Sequence, residues 1–302
     1  MLLGLIPLAC APAVALGPIA GPLEGAPIAR LAVVGCPLGG EPERWSAISA
    51  DIAAWDPDAV LWTGGVASPR GKVAWERLHG EIAGLGPALA VPAAVDLQGD
   101  RHAHRFATRF ASGSRWVVET AHWRLVGMPA TGESAVEAGF WVPRVLGPTA
   151  EYRRAISIVG GPPRSVIPGL PPSQAPRLAA IAREAAGDRL PLVIGGNTGS
   201  NELFLPDGPL GAAHLVAGNA GAPGHSWPDR PVVELQPDFA MGVAVQRHLD
   251  DDRESPLTGW WTVELREEAL AVSFRQLTRR GLQPAVRGTW SAEAGWDWER
   301  LQ

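Results

Sequence analysis

Short apolar runs that break abruptly into glycine and proline recur along the chain. Residues 30–34 run into Gly35-Cys36-Pro37-Leu38-Gly39, and residues 59–62 into Thr63-Gly64-Gly65-Val66. Residues 88–91 lead to Pro92-Ala93-Ala94-Val95-Asp96, and residues 191–194 to Gly195-Gly196-Asn197-Thr198-Gly199. Runs without polar alternation suit strands covered on both faces. Between them, Trp45, Ile48, Ile52 and Trp55 fall at helical spacing, as do Val73, Trp75, Leu78 and Ile82. The pattern predicts helices over 43–55 and 73–82, two successive βαβ units and a parallel sheet core. Sheets of that kind place their sites outside the carboxyl ends of the strands.

The second half is less regular. A short helix over 102–110 and a strand pair over 114–119 and 122–128 are expected, whereas residues 129–150 lack a period and read as a long loop over the sheet edge. A strand over 154–159 precedes a proline-rich stretch and a helix over 176–186, with Pro176 suited to the first turn. Residues 214–217 and 231–235 read as short strands of a second sheet. Residues 241–248, 259–265 and 269–277 read as antiparallel strands with acidic turns between them. The aspartates at 250–252 lack the glycine and distal glutamate of a calcium loop, so they read as a solvated turn. Residues 281–302 form an expected Trp-rich tail beyond the last strand, with Trp290, Trp296 and Trp298 either anchoring an interface or folding back. The expected division is an apolar amino-terminal arm (1–27), one domain (28–280) and that tail (281–302).

Composition narrows the picture. With 302 residues, 46% hydrophobic and 19% charged, the chain can bury a large core, and 36 Gly and 29 Pro announce much irregular backbone. A net charge of -5 gives no basic field for nucleic acid. The local cluster Arg101, His102, His104, Arg105 and Arg109 reads as a solvated helix face. Two cysteines, Cys10 and Cys36, cannot make a disulfide framework. The first 21 residues contain no Lys or Arg, and Pro7, Pro12 and Pro18 would interrupt a spanning helix. The arm, with Leu2, Leu3, Leu5 and Ile6, is therefore expected to dock on its own domain or on another subunit, and membrane contact is not favoured. A cytoplasmic place or a larger particle is favoured over the cell envelope.

The four loops, with flanks Val60-Leu61-Trp62-Thr63-Gly64, Ala90-Val91-Pro92, Asp96-Leu97 and Ser200-Asn201-Glu202, resemble in order and spacing the calcineurin-like metallophosphoesterase family over residues 28–222. The resemblance implies a four-layer α/β/β/α sandwich with two mixed sheets. It also implies that the metal-ligand positions have been replaced. Cys36 and Leu38 stand for the first Asp and His, and Gly65 for the bridging Asp. Ala94 and Val95 stand for the Asn and His of the third loop, Gly160 or Gly161 for a lone His, and Asn197 and Gly199 for two further histidines.

Hydrolysis in that family needs two cations that generate hydroxide from a bridging water. Gly, Ala, Val and Leu side chains offer no lone pair, and neither Cys36 nor Asn197 replaces a bridging carboxylate. The expectation is no metal, no cofactor and a pseudoenzyme acting as a structural or binding subunit of a larger assembly, contacted by other subunits. The rival is a divergent phosphoesterase or hydrolase around Cys36, Asp96 and Asn197. A small-molecule carrier using the emptied cleft is a third reading. Asp96, His102 and His104 remain a candidate residual polar site, and Cys36 is the only attractive nucleophile. His79, His122, His214 and His248 fall in predicted helices or strands and read as structural. No phosphate-cradling glycine loop is present.

Overall fold

The computed structural model of the chain describes residues 27–37, 42–66, 72–97, 99–110, 115–130, 134–148, 154–165, 173–196, 201–206, 211–218, 220, 241–244 and 258–300. Strand β1 (Ala29–Val34), helix α1 (Pro42–Trp55), β2 (Ala59–Trp62), α2 (Lys72–Gly84) and β3 (Ala88–Ala90) form the two expected βαβ units. Their strands pair in parallel. A 3-10 turn (Ala94–Leu97) and α3 (Gly99–Arg109) follow. Next come β4 (Trp116–Glu119), β5 (Trp123–Met128), α4 (Ser134–Leu146), β6 (Arg154–Val159), α5 (Ala175–Ala186), β7 (Leu192–Gly196), β8 (Asn201–Leu205), β9 (Ala213–Ala217) and β10 (Met241–Ala244). The chain ends its described course with β11 (Gly259–Leu265), β12 (Ala269–Thr278), β13 (Gly281–Ser291) and β14 (Gly295–Arg300).

These strands make two seven-stranded mixed sheets, ordered β14-β13-β12-β11-β1-β2-β3 and β10-β8-β9-β7-β6-β5-β4. Strand β1 shows why its run has no polar position after Arg30. Leu31 and Val33 face the core between the sheets, whereas Ala32 and Val34 face the helical layer with Ile48, Ile52 and Ile82. On the far side, Val126, Ala155 and Val193 pack under Val142 and Leu146 of α4 and Leu178 and Ala182 of α5. The layers are therefore α/β/β/α.

Tryptophan indoles stitch the two sheets together. Trp116 Nε1 donates to the Ala90 carbonyl (2.6 Å), Trp123 Nε1 to that of Arg266 (2.5 Å) and Trp296 Nε1 to that of Pro191 (3.1 Å). Each bond satisfies a donor that would otherwise be costly inside a dry interface. Outside the interface, the Asp51 carboxylate of α1 takes both Trp260 Nε1 (2.9 Å) and the Arg275 guanidinium (2.6 and 2.7 Å). That hydrogen bond raises the Arg275 pKa and fixes α1 to β11 and β12.

Three expectations need correction. Residues 129–150 contain α4 rather than only loop, and its pattern is obscured because apolar residues occupy both faces: Ala138, Val142 and Leu146 inward, Val136 and Phe140 outward. The expected tail from 281 onward is instead β13 and β14, the edge of the first sheet. In β13 the buried Val286, Gly288 and Trp290 alternate with the exposed Arg287 and Thr289, a period-two signal that sets Trp290 against Trp123. Strand β8 had no sequence signal because Asn201 and Glu202 are polar, although both are buried. The described part of the run at 241–248 pairs with β8 in the second sheet, and the strand expected over 231–235 lies outside the described residues.

Candidate functional site

The strand-end loops meet at the carboxyl ends of β1, β2 and β3 on one sheet and β6, β7 and β9 on the other. Their contacts are largely backbone to backbone. Cys36 N donates to the Gly64 carbonyl (3.0 Å), and Ala220 N donates to that of Gly35 (2.9 Å). Between the sheets, the Thr63 hydroxyl donates to the Ala217 carbonyl (2.8 Å) and lies 3.3 Å from that of Val34.

Glycine makes this closeness possible. A Cβ on Gly35 would fall 1.7 Å from the Ala217 oxygen, and one on Gly196 would fall 2.2 Å from Thr63 Oγ1. A Cβ on Gly160 would fall 1.9 Å from the Pro92 oxygen, and one on Gly195 would fall 2.1 Å from that of Gly161. Real side chains do not tolerate such separations, so at Gly35, Gly160 and Gly196 the strand ends of the two sheets close directly on each other, and at Gly195 those of neighbouring strands.

Gly65, where the resemblance puts the bridging carboxylate, has φ +73, and a Cβ there would lie 2.5 Å from Cys36 Sγ. The Cys36 side chain thus fills the space a ligand would need. Cys36 itself has φ 45, an unfavourable region for a residue with a Cβ. Ala94 is exposed, Val95 half-buried and Gly161 buried, and Leu38, Asn197 and Gly199 lie outside the described residues.

Asp96, which the third loop retains, is fully buried in the 3-10 turn. Its Oδ2 accepts from Gly65 N (2.8 Å) and Ala93 N (2.9 Å), so the carboxylate ties the β2 loop to the β3 loop. His102 is half-buried and His104 exposed on α3, because residues two apart on a helix point to different sides. Among the described residues no three His, Cys, Asp or Glu side chains gather as a metal would require. Burial lowers the pKa of Arg109 on the same helix.

Behind the loops, Ser165 Oγ donates to the buried Glu202 Oε1 (2.7 Å). On β9, burial with Arg164 and Arg183 nearby pushes His214 down to about 3, which leaves it neutral. Its position in a strand is the one the sequence predicted.

A dinuclear centre in this fold needs carboxylate and imidazole donors at the loop tips. The described tips present Gly, Ala, Val, one thiol and a carboxylate already bound to backbone. They do not fit a pair of cations. Sequence reasoning missed Thr63 and the contact role of Gly35, Gly160 and Gly196, since nothing local distinguishes a contact glycine from a turn glycine.

No family model and no curated protein matches the chain. Solved structures do. The chain is similar to GAP50, "the anchor in the inner membrane complex of Plasmodium", with TM-score 0.60 and 12% identity over 91% of this chain and 88% of that one. It is also similar to PhoD, with TM-score 0.56 and 9% identity over 91% and 72%. A dimetal phosphatase from Danio rerio gives TM-score 0.50 and 9% identity over 83% and 96%. Identities this low speak for architecture, and together with the two mixed sheets they show that the chain has the calcineurin-like metallophosphoesterase fold.

Proposed function

We propose that the chain is a non-catalytic metallophosphoesterase-like protein that serves as a structural or binding subunit of a larger assembly. One observation carries this reading: at Gly65 the place of a bridging carboxylate is taken by Cys36, 2.5 Å from where a Cβ would stand. Restoring a side chain there would displace the Cys36 thiol and strain a backbone held at φ +73. That GAP50, which shares the fold, is an anchor in a membrane complex supports a structural role. The apolar arm, with Leu2, Leu3, Leu5 and Ile6, is the proposed contact with other subunits. Of the C-terminal tryptophans, Trp290 is buried and Trp296 packs against the inter-sheet core, so neither is offered as a contact.

Elemental analysis of the purified chain, before and after incubation with zinc and manganese, tests the first half of the reading. Substoichiometric metal and no turnover of an aryl phosphate are expected. Two tightly held equivalents, with activity lost on Asp96→Asn, would establish the rival hydrolase. Replacing Leu2, Leu3, Leu5 and Ile6 by Ser tests the second half, with loss of co-purifying subunits expected and unchanged association counting against it.

A further inference from the structure

We infer that the outer face of α4 is a self-association surface, pairing with α4 of a second copy of this chain in antiparallel fashion about a two-fold axis. Val136 and Phe140, at 60% and 70% exposure, are the exposed large hydrophobic residues among those described. They lie one turn apart. With the exposed Gly139 and Pro143 they complete the i, i+3, i+4, i+7 stripe of a helix that packs against another. The opposite face already buries Ala138, Val142 and Leu146 against the second sheet. A helix apolar on both faces is covered on both faces in its working state.

The stripe is complementary to itself. Antiparallel pairing centred between Gly139 and Phe140 sets each phenyl ring over the glycine of the other copy. Nothing lies within 4 Å of where a Gly139 Cβ would be, so the ring has room. Glu137 and Arg144 lie seven residues apart, close to two helical turns, and both are exposed on one flank of the stripe. A two-fold axis brings that flank together with its own copy and leaves Glu137 about 3 Å along the helix from the level of Arg144 at both ends, within reach of the two long side chains. Arg144 has no ion-pair partner among the described residues, and Glu137, 2.9 Å from Arg115, keeps capacity for a second guanidinium.

A helix of 13 residues offers less than the roughly 800 Å² per partner of a standard interface, so the dimer is of the small, reversible kind. This inference stands apart from the emptied cleft. An active enzyme could dimerise in the same way.

Sedimentation equilibrium of the full chain from about 1 to about 300 μM should show a monomer–dimer equilibrium, with dissociation on the order of micromolar to tens of micromolar. Phe140→Glu should weaken it by about 30-fold or more, since it buries a charge at the centre. Glu137→Arg and Arg144→Glu should each weaken it, and the double swap should restore it. A wild-type chain monomeric throughout would overturn the inference. So would a dimer indifferent to Phe140→Glu, or a double swap no tighter than the single changes. Phe140 and Arg144 are exposed, and far-ultraviolet circular dichroism confirms that each variant is folded.

Discussion

Replacing Asp96 by alanine tests whether the retained carboxylate is a structural tie or a remnant of chemistry. The substitution deprives Gly65 N and Ala93 N of their acceptor at 2.8 and 2.9 Å, in a place with no solvent exposure. An unsatisfied buried donor costs roughly 1–3 kcal/mol, so the two together cost roughly 2–6 kcal/mol. Relief from holding a carboxylate away from water offsets part of this, and a water entering the vacated volume offsets more. We expect a net loss of about 3 kcal/mol, a large share of the ~5–15 kcal/mol of a typical domain. Asp96→Asn keeps an amide oxygen for both donors and should lose about half as much. Urea unfolding followed by tryptophan fluorescence reads this directly, because a ~3 kcal/mol loss lowers the midpoint by about 1 M at a slope of roughly 3 kcal/mol/M. An alanine variant within about 0.5 kcal/mol of wild type would refute the reasoning, as would metal-dependent turnover that vanishes while stability is untouched.

Other substitutions probe neighbouring claims. Gly35→Ala, whose Cβ would meet the Ala217 oxygen at 1.7 Å, should cost at least several kcal/mol or prevent folding, by an overpacking mechanism. Gly80→Ala, in α2 with nothing within 4 Å, should instead add about 0.5–1 kcal/mol, and equal melting shifts for the two would contradict the close contact of the strand ends. His214 is held neutral with its pKa lowered to about 3, so the unfolded chain binds the extra proton as pH falls below about 6.5. Its contribution to stability is therefore fully present above that pH and is lost on acidification toward 3, with a slope of up to ~1.4 kcal/mol per pH unit that the ring's partial exposure reduces. His214→Gln should flatten the stability profile between pH 6 and 4 (roughly the window these pKa values set), and an unchanged slope would show that the ring is not buried neutral.

The strand frame of the two βαβ units was legible in the sequence, because it is local. A run such as residues 31–34 reports its own burial through the absence of polar positions. The α4 helix and the β13–β14 hairpin were not legible in the same way. One hides its stripe under apolar residues on both faces, and the other carries its tryptophans among polar edge-strand neighbours. Only the tertiary structure decided that the strand ends of the two sheets touch. Thr63 and Ala217 are 154 positions apart, and their hydrogen bond exists because two sheets stack so that glycine backbones can touch. Such contacts follow from the packing distance between layers, which the pattern along a single strand does not encode.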